Sequence, residues 1–569
     1  MGKPTKQCKL IVLSAILATT IFTLTLVQLL SGGGRHSATP NNHLRITSRL
    51  NSATATRHCS GTLFPDLCTS TLLSIPDLSS KSLPTIVAAA VNHTASAVRS
   101  TYSNCSSLYN SRRPHLSPLQ RLALSDCLEL LSSSLDDLRL AVSDLHNCTT
   151  SHTSLSELFT VLSAAITNQF TCLDGFAFVP GAESLRPSIE SFLLHVYRLI
   201  SNALAISMKI TPPQSPPPPK KEVFKGYGVV RDGFPVWLTR KDRRLLQAKT
   251  PSGLVANLVV AKDGSGNFTT VGEAVAAAPN NSATRFVIYI KAGGYFENVE
   301  VGKKKTNLMF VGDGIGKTVI KASRNVVDGW TTFRSATVAV VGKGFIGRDL
   351  TIENSAGPSK HQAVALRVGA DLSAFYQCSF VAYQDTLYVH SLRQFYRECD
   401  VYGTIDFIFG NSASVFQDCN LYARMPNPNQ KNIITAQGRE DPNQNTGISI
   451  QNCKVSAASD LAPVLSQFKT YLGRPWKKYS RTVFMQSFID SLVDPAGWLE
   501  WNGTFALDTL YYGEYMNRGP GSETADRVKW PGYRVITSAT EAEKFTVANF
   551  IDGNQWLGTY GFPFVSGLN

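Results

Sequence analysis

The chain is poor in several signatures, and each absence removes a class of function. Its eleven cysteines contain no Cys-x-x-Cys pair, and no His, Cys, Asp or Glu cluster has metal-ligand spacing. Zinc chemistry is therefore not expected, no metal or cofactor is implied, and disulfides in an oxidising compartment account better for the cysteines. There is no Gly-x-Ser-x-Gly, and only His361 and His390 lie beyond Gln247. A Ser-His-Asp hydrolase is disfavoured, and each His reads as an ordinary polar residue rather than a base. DGSGNF at 263 and GDGIGK at 312 lack the context of a phosphate loop and read as turns. A concentrated basic excess is missing from the largest part of the chain. From Gln247 onward 31 Lys and Arg face 27 Asp and Glu, a net of +4, so +10 of the total +14 lies in the first 246 residues. Nucleic-acid binding is not expected, although a modest positive charge favours a polyanionic partner.

What is present divides the 569 residues into more than one domain. Lys3, Lys6 and Lys9 precede LIVLSAILATTIFTLTLVQLL, an uncharged run from 10 to 30 that is long enough to cross a bilayer. Residues 1–33 read as a signal anchor or a signal peptide, and either would export the rest of the chain. Sequons at Asn92, Asn104, Asn147, Asn267, Asn280 and Asn502 agree with export. Over 58–208, stretches such as RLALSDCLELLSSSLDDLRLAVSDL repeat apolar residues every three or four positions, which predicts a helix bundle. TPPQSPPPPKK at 211–221 breaks that pattern as a semi-rigid spacer within a linker over 209–250. The linker ends in RKDRRLLQ, a polar segment holding Arg243, Arg244, Leu245 and Leu246 that reads either as a solvated basic run or as a processing site between two exported domains.

Residues 251–569 are strand-like and repetitive. AFYQCSF at 374, QFYRECDV at 394 and VFQDCNLY at 415 share one form, as do ISIQNCKV at 448 and TVFMQSFI at 482. The clearest copies are 20 or 21 residues apart, which predicts a solenoid, a parallel β-helix, since the Leu/Asn pattern of a leucine-rich repeat is missing. Asp385 in AYQDTLYV and Asp406 in GTIDFIFG, 21 apart, are then expected to stack on adjacent coils, about 4.8 Å apart along the pairing direction. Cys399 and Cys419, 20 apart, would stack likewise, within disulfide reach. Two such carboxylates separate into one that holds a proton and one kept charged by a cation. Stacked Asp residues can also merely cap turns. Their company tips the balance. Gln384 and Gln362 offer amides to an oxyanion, Arg474 a carboxylate clamp, and Trp476 an indole for a sugar ring.

At GGYFENV (293–299), HQAVALRV (361–368), YQDTLYV (383–389), GTIDFIFGNS (403–412), AQGREDPNQNTG (436–447) and YLGRPWKKYS (471–480), the sequence resembles the plant pectin methylesterases. The resemblance implies an all-β right-handed parallel β-helix over 251–569, preceded by an all-α four-helix bundle like the pectin methylesterase inhibitor domain. It implies Asp406 as nucleophile on the C6 methyl ester of pectin, Asp385 as acid then base, and Gln384, helped by Gln362, at the oxyanion. Arg474 would position Asp406, while Trp476 and Thr332 bind substrate. It further implies disulfides Cys59–Cys68 and Cys127–Cys172, leaving Cys105 and Cys148 extra. RRLL resembles a motif cut by subtilase-type proteases, which would release a monomeric enzyme to the cell wall. Separate pectin methylesterase inhibitor proteins are a further expected partner. A pectin-cleaving glycosidase or lyase, or a binding-only protein acting through its bundle, are the rival functions.

Overall fold

The computed structural model describes residues 40–147, 152–177, 179–211, 255–560 and 563–569, with a strand pair at 230–231 and 234–235. The apolar run at 10–30, Cys148, most of the proline-rich linker and Arg243 to Leu246 lie outside the described residues. Residues 55–569 form one compact unit.

Four long helices make the bundle: α1 (Leu83–Arg112), α2 (Pro118–Asn147), α3 (His152–Asp174) and α4 (Arg186–Ser207). Successive helices pack together, and α4 closes against α1. The starts are written locally. Ser82 caps α1, its side chain accepting from the Thr85 amide. At α2, Ser117 Oγ accepts from the Gln120 amide and Gln120 Oε1 from the Ser117 amide, a reciprocal capping box. Along α2, Ala123, Leu124, Cys127, Leu130, Leu131 and Leu138 are buried at three- and four-residue steps. Cys127–Cys172 bridges α2 and α3, and Cys59–Cys68 closes the turn before a short helix at Pro65–Leu73.

From Leu258 the chain winds into an all-parallel β-helix of three sheets with eleven, eight and seven strands. The seven-stranded sheet carries the site: β1 (Val299–Val301), β2 (Val338–Val340), β3 (Leu366–Val368), β4 (Leu387–Val389), β5 (Ile408–Gly410), β6 (Asn432–Gln437) and β7 (Thr470–Gly473). Registers reproduce the short repeat, Ser373 against Gln394 and Arg393 against Ala413. The next coil is longer, with Ala413 against Gly447. Its extra residues form loops on either side of β6. The repeated polar turn has a conformational cause: Gln377, Glu398, Asp418, Asn452 and Gln486 all take φ of 51–55°. Left-handed backbone costs roughly 1–2 kcal/mol per residue. Ladder contacts such as Asn452 Nδ2 to Asp418 Oδ1 at 2.5 Å offset part of it. Inside, Phe375, Tyr396 and Phe416 stack at 5.1 and 4.4 Å between centroids.

The expected Cys399–Cys419 disulfide is not formed. Both are buried free thiols, in a ladder with Cys378 and Cys453. Side chains in a parallel, in-register ladder leave the backbone side by side, so neighbouring Sγ atoms do not meet across the dihedral a disulfide needs. The sulfurs serve the backbone instead: the Cys399 amide donates to Cys419 Sγ at 3.5 Å and the Cys419 amide to Cys453 Sγ at 3.4 Å. Asn92, Asn104, Asn267, Asn280 and Asn502 are exposed, while the side chain of Asn147 lies outside the described residues.

Candidate active site

Leu387 pairs with Ile408 in the β4–β5 register, so the residues two places earlier, Asp385 and Asp406, fall on adjacent coils at the entrance to the seven-stranded sheet. Both adopt left-handed backbone, φ 63° and 51°, which Asp tolerates better than most residues. The Asp385 amide is tied to the Ile405 carbonyl at 3.0 Å, locking one coil to the next at the acids. Both are largely buried, 7% and 6% exposed.

Their environments differ. Arg474, directly after β7, donates Nε to Asp406 Oδ1 at 2.8 Å and Nη2 to Oδ2 at 2.6 Å, a two-point grip. The Arg474 amide bonds the Thr435 carbonyl, and its guanidinium carbon lies 4.3 Å from the Trp501 ring centroid. Among the described residues no cation pairs with Asp385. Burial, then the neighbouring Asp406 charge, push its carboxyl well above the usual carboxylate range, and Arg474 offsets this only in part. Two chemically identical side chains are thus split into a clamped anion and an acid that favours its proton.

Gln384 and Gln362 are half-buried beside the pair. Their backbone carbonyls accept from Ala363 and Val326. Among the described residues neither carboxamide is held by a protein group, which leaves their N–H donors free. Trp476 sits against the edge of Phe409, centroids 6.0 Å apart. Gly438 makes room for it, since a Cβ there would come within 2.8 Å of the indole. Thr332 stands apart from this hydrogen-bonded set, in the turn between Thr331 and Arg334. His390 is no base: Thr171 Oγ1 and Ser391 Oγ hold its two nitrogens at 2.9 Å. Burial, then the Arg367 charge, lower its pKa to about 3.

The bundle packs on this same face. Its apolar core is continuous with Phe333, Val364, Tyr388, Phe409 and Ala436, and Trp476 packs against it. Tyr388 and Phe409 each lie three residues beyond an acid. Polar contacts ring the apolar patch. Asp126 accepts from Arg334 Nε and Thr331 Oγ1 at 2.6 Å, and Arg334 also pairs with Glu129. Lys303 meets Asp136 and Asp137, Lys343 meets Glu157, and Lys477 meets Asp174 at 2.8 Å. The long-coil loop after β6 contributes Asp441 to Ser201 and Gln444 to the Ser163 carbonyl. None of these docking residues stood out in the sequence. Their partners lie hundreds of residues away, and a surface lysine or glutamate looks alike whether solvated or docked.

The docked face responds to pH. Burial pushes the Asp137 carboxyl up to about 6, against the opposing effect of Lys303. A value above the ordinary carboxylate range of about 4 means that docking takes up a proton. Its contribution is complete below about pH 4 and is lost as pH rises through about 6. From this group alone, a cut bundle is expected to bind about tenfold tighter at pH 5 than at pH 7. Titration calorimetry at the two values checks this, and Asp137→Asn should flatten the difference.

The pectinesterase family model matches residues 257–554, and the plant invertase/pectin methylesterase inhibitor model matches 53–206. Pectinesterase/pectinesterase inhibitor U1 of Solanum lycopersicum is 50% identical over 568 residues, 97% of this chain and 96% of that protein. Pectinesterase/pectinesterase inhibitor 3 of Arabidopsis thaliana is 49% identical, covering 99% and 98%. Among solved structures, pectin methylesterase from carrot is 64% identical with a TM-score of 0.55, covering 55% of this chain and 98% of its own. With one carboxylate clamped by Arg474, a second buried beside it, and a helical bundle docked over that face, the chain belongs to the pectinesterase family, in the form that carries an inhibitor domain ahead of the esterase.

Proposed function

We propose that the β-helix hydrolyses the C6 methyl esters of homogalacturonan, releasing methanol and acidic pectin, with Asp406 as nucleophile. The split environment of the two acids carries this reading. An Asp406 oxygen attacks the ester carbonyl, and the carbonyl electrons move onto oxygen, where the Gln384 and Gln362 amides donate to it. Collapse of the tetrahedral intermediate expels methoxide, which takes the Asp385 proton and leaves as methanol. Water then attacks the acyl-enzyme carbonyl while the ionised Asp385 takes its proton. The acyl C–O bond to Asp406 then breaks, its electrons returning to the Asp406 oxygen; the galacturonic acid released gives its proton to solvent, and Asp406 as anion and Asp385 as acid are restored. Arg474 fixes the plane of the nucleophile throughout. Trp476 and Thr332 contact the sugar chain.

The domain limits accord with the same reading: a targeting segment at 1–33, an inhibitor-like bundle at 58–208, a linker at 209–250 cut at RRLL by a subtilase-type protease, and a monomeric enzyme at 251–569. The targeting segment, exposed sequons and bundle disulfides support passage through the secretory pathway to the cell wall. Separate inhibitor proteins would use the face the bundle now occupies.

Incubating the isolated 251–569 segment with methylated pectin tests the reaction. Methanol release without new reducing ends or unsaturated products is expected. Chain cleavage without methanol would instead select the glycosidase or lyase reading, for which acids about 5 Å apart are equally suitable.

A further inference from the structure

The grip on Asp406 depends on where Arg474 stands, and Arg474 directly follows β7. The next coil, residues 493–499, runs beside β7. Thr470 bridges to Val493 and Gly473 to Trp498. The Leu472 amide donates to the Gly497 carbonyl at 2.7 Å, and the Leu499 amide to the Gly473 carbonyl at 3.0 Å. Trp498 backs Gly473 so closely that a Cβ there would come within 3.1 Å of the indole. Trp501, a little further on, carries the ring that stacks on the Arg474 guanidinium. The backbone before Arg474 and the ring over it are thus both held by one segment.

That segment is fastened from inside the coil by a buried ion pair. Glu514 lies on the strand Tyr511–Tyr515 of the eleven-stranded sheet, 2% exposed, and Arg527 is equally buried. Arg527 donates Nε to Glu514 Oε1 at 2.9 Å, Nη2 to Oε2 at 3.2 Å, and Nη1 to the Pro495 carbonyl at 3.0 Å. Glu514 Oε1 also accepts from Trp498 Nε1 and from the Tyr533 hydroxyl, each at 3.2 Å. The Trp498 ring stacks on Tyr512, centroids 4.2 Å apart. At Gly497, where φ is 71°, a Cβ would overlap the Arg527 side chain. A buried ion pair is a poor way to gain stability, since apolar residues of similar volume commonly do as well. What a carboxylate and a guanidinium add is direction, because their hydrogen bonds fix the partners at set angles.

We propose that Glu514 and Arg527 are positioning residues for the nucleophile: through Pro495 and Trp498 they fix segment 495–501, and that segment holds Arg474 where it orients Asp406. The inference rests on the esterase reading above, in which Asp406 attacks.

The test uses the 251–569 segment, which corresponds to nearly the whole of the 64%-identical carrot protein and so to a unit that folds alone. Wild type is compared with Glu514→Leu/Arg527→Met and with Glu514→Gln. The double replacement removes both charges together and fills the space with apolar groups, so its melting temperature should stay near that of wild type. Its kcat for methanol release should fall at least about tenfold with KM within about twofold, because a displaced nucleophile slows the chemical step. Glu514→Gln keeps an acceptor for Trp498 Nε1 but leaves Arg527 without a counter-charge. It should melt well below wild type, yet keep kcat within about threefold where it is folded. Stability and turnover are expected to run in opposite orders. Turnover that follows melting temperature overturns the proposal, and so does a double variant with wild-type kcat. Should either variant not fold, Trp498→Phe, which keeps a stacked ring and removes the Nε1 donor, replaces it: kcat falls with KM unchanged, or the proposal fails. A crystal structure of the double variant reads the grip without substrate. Arg474 Nε should lie beyond about 3.5 Å from Asp406 Oδ1, and an unaltered grip overturns the proposal. A wild-type segment that releases no methanol refutes the esterase reading instead, and the crystallographic distance then decides the positioning role by itself.

Discussion

Asp406→Asn is expected to lower methanol release by at least about a thousandfold, because an amide keeps the shape but not the nucleophilic oxygen. Asp385→Asn should be similarly severe in turnover, and the two variants should part company in stability. Asp406 shares its charge with Arg474 through two short hydrogen bonds. Its replacement leaves a half-buried guanidinium facing an amide that can accept only one of them, at a cost of about 1–3 kcal/mol. Asp385 favours its neutral form, so Asn substitutes one uncharged group for another and removes a like-charge neighbour. Its variant should melt at or above the wild-type temperature, while that of Asp406 melts below it. Turnover by methanol assay and a pair of thermal melts settle the assignment, and reversed melting shifts would exchange the two roles. Arg474→Lys is expected to fall with Asp406→Asn, since an ammonium cannot reproduce the two-point grip or the stack on Trp501.

The second large effect concerns the bundle. Tyr388, Phe409 and Trp476 belong to an apolar cluster built mostly from helical residues, so substrate cannot reach the face beside the acids while the bundle is docked. A tether holds it there at an effective concentration of order millimolar. The intact chain should therefore be at least about a hundredfold less active on polymeric pectin than the separated 251–569 segment. Cutting the linker alone should restore little activity at pH 5 and much more at pH 7, because the buried carboxylates release the bundle as pH rises. Arg243→Ala with Arg244→Ala should make the uncut, weakly active chain accumulate inside the secretory pathway, with little mature enzyme reaching the wall. An intact chain as active as the segment would mean that the bundle assists folding without obstructing the cleft.

Much of this architecture is legible in the residues alone. A 20–21-residue repeat of apolar pair, polar turn and small residue dictates stacked coils, because each coil can bury its apolar side chains only against identical neighbours. That period alone places Asp385 beside Asp406. The three- and four-residue spacing in 58–208 dictates helices with one buried face. What the sequence could not decide depended on direction and on distant partners. Cys399 and Cys419 stack as the period requires, yet stay thiols, because parallel side chains do not converge. Arg474 reaches Asp406 across 68 residues only because the long coil brings β7 alongside β6. The docking of the bundle belongs to tertiary structure alone: charges such as Lys477 and Asp174, 303 residues apart, pair only because two surfaces meet.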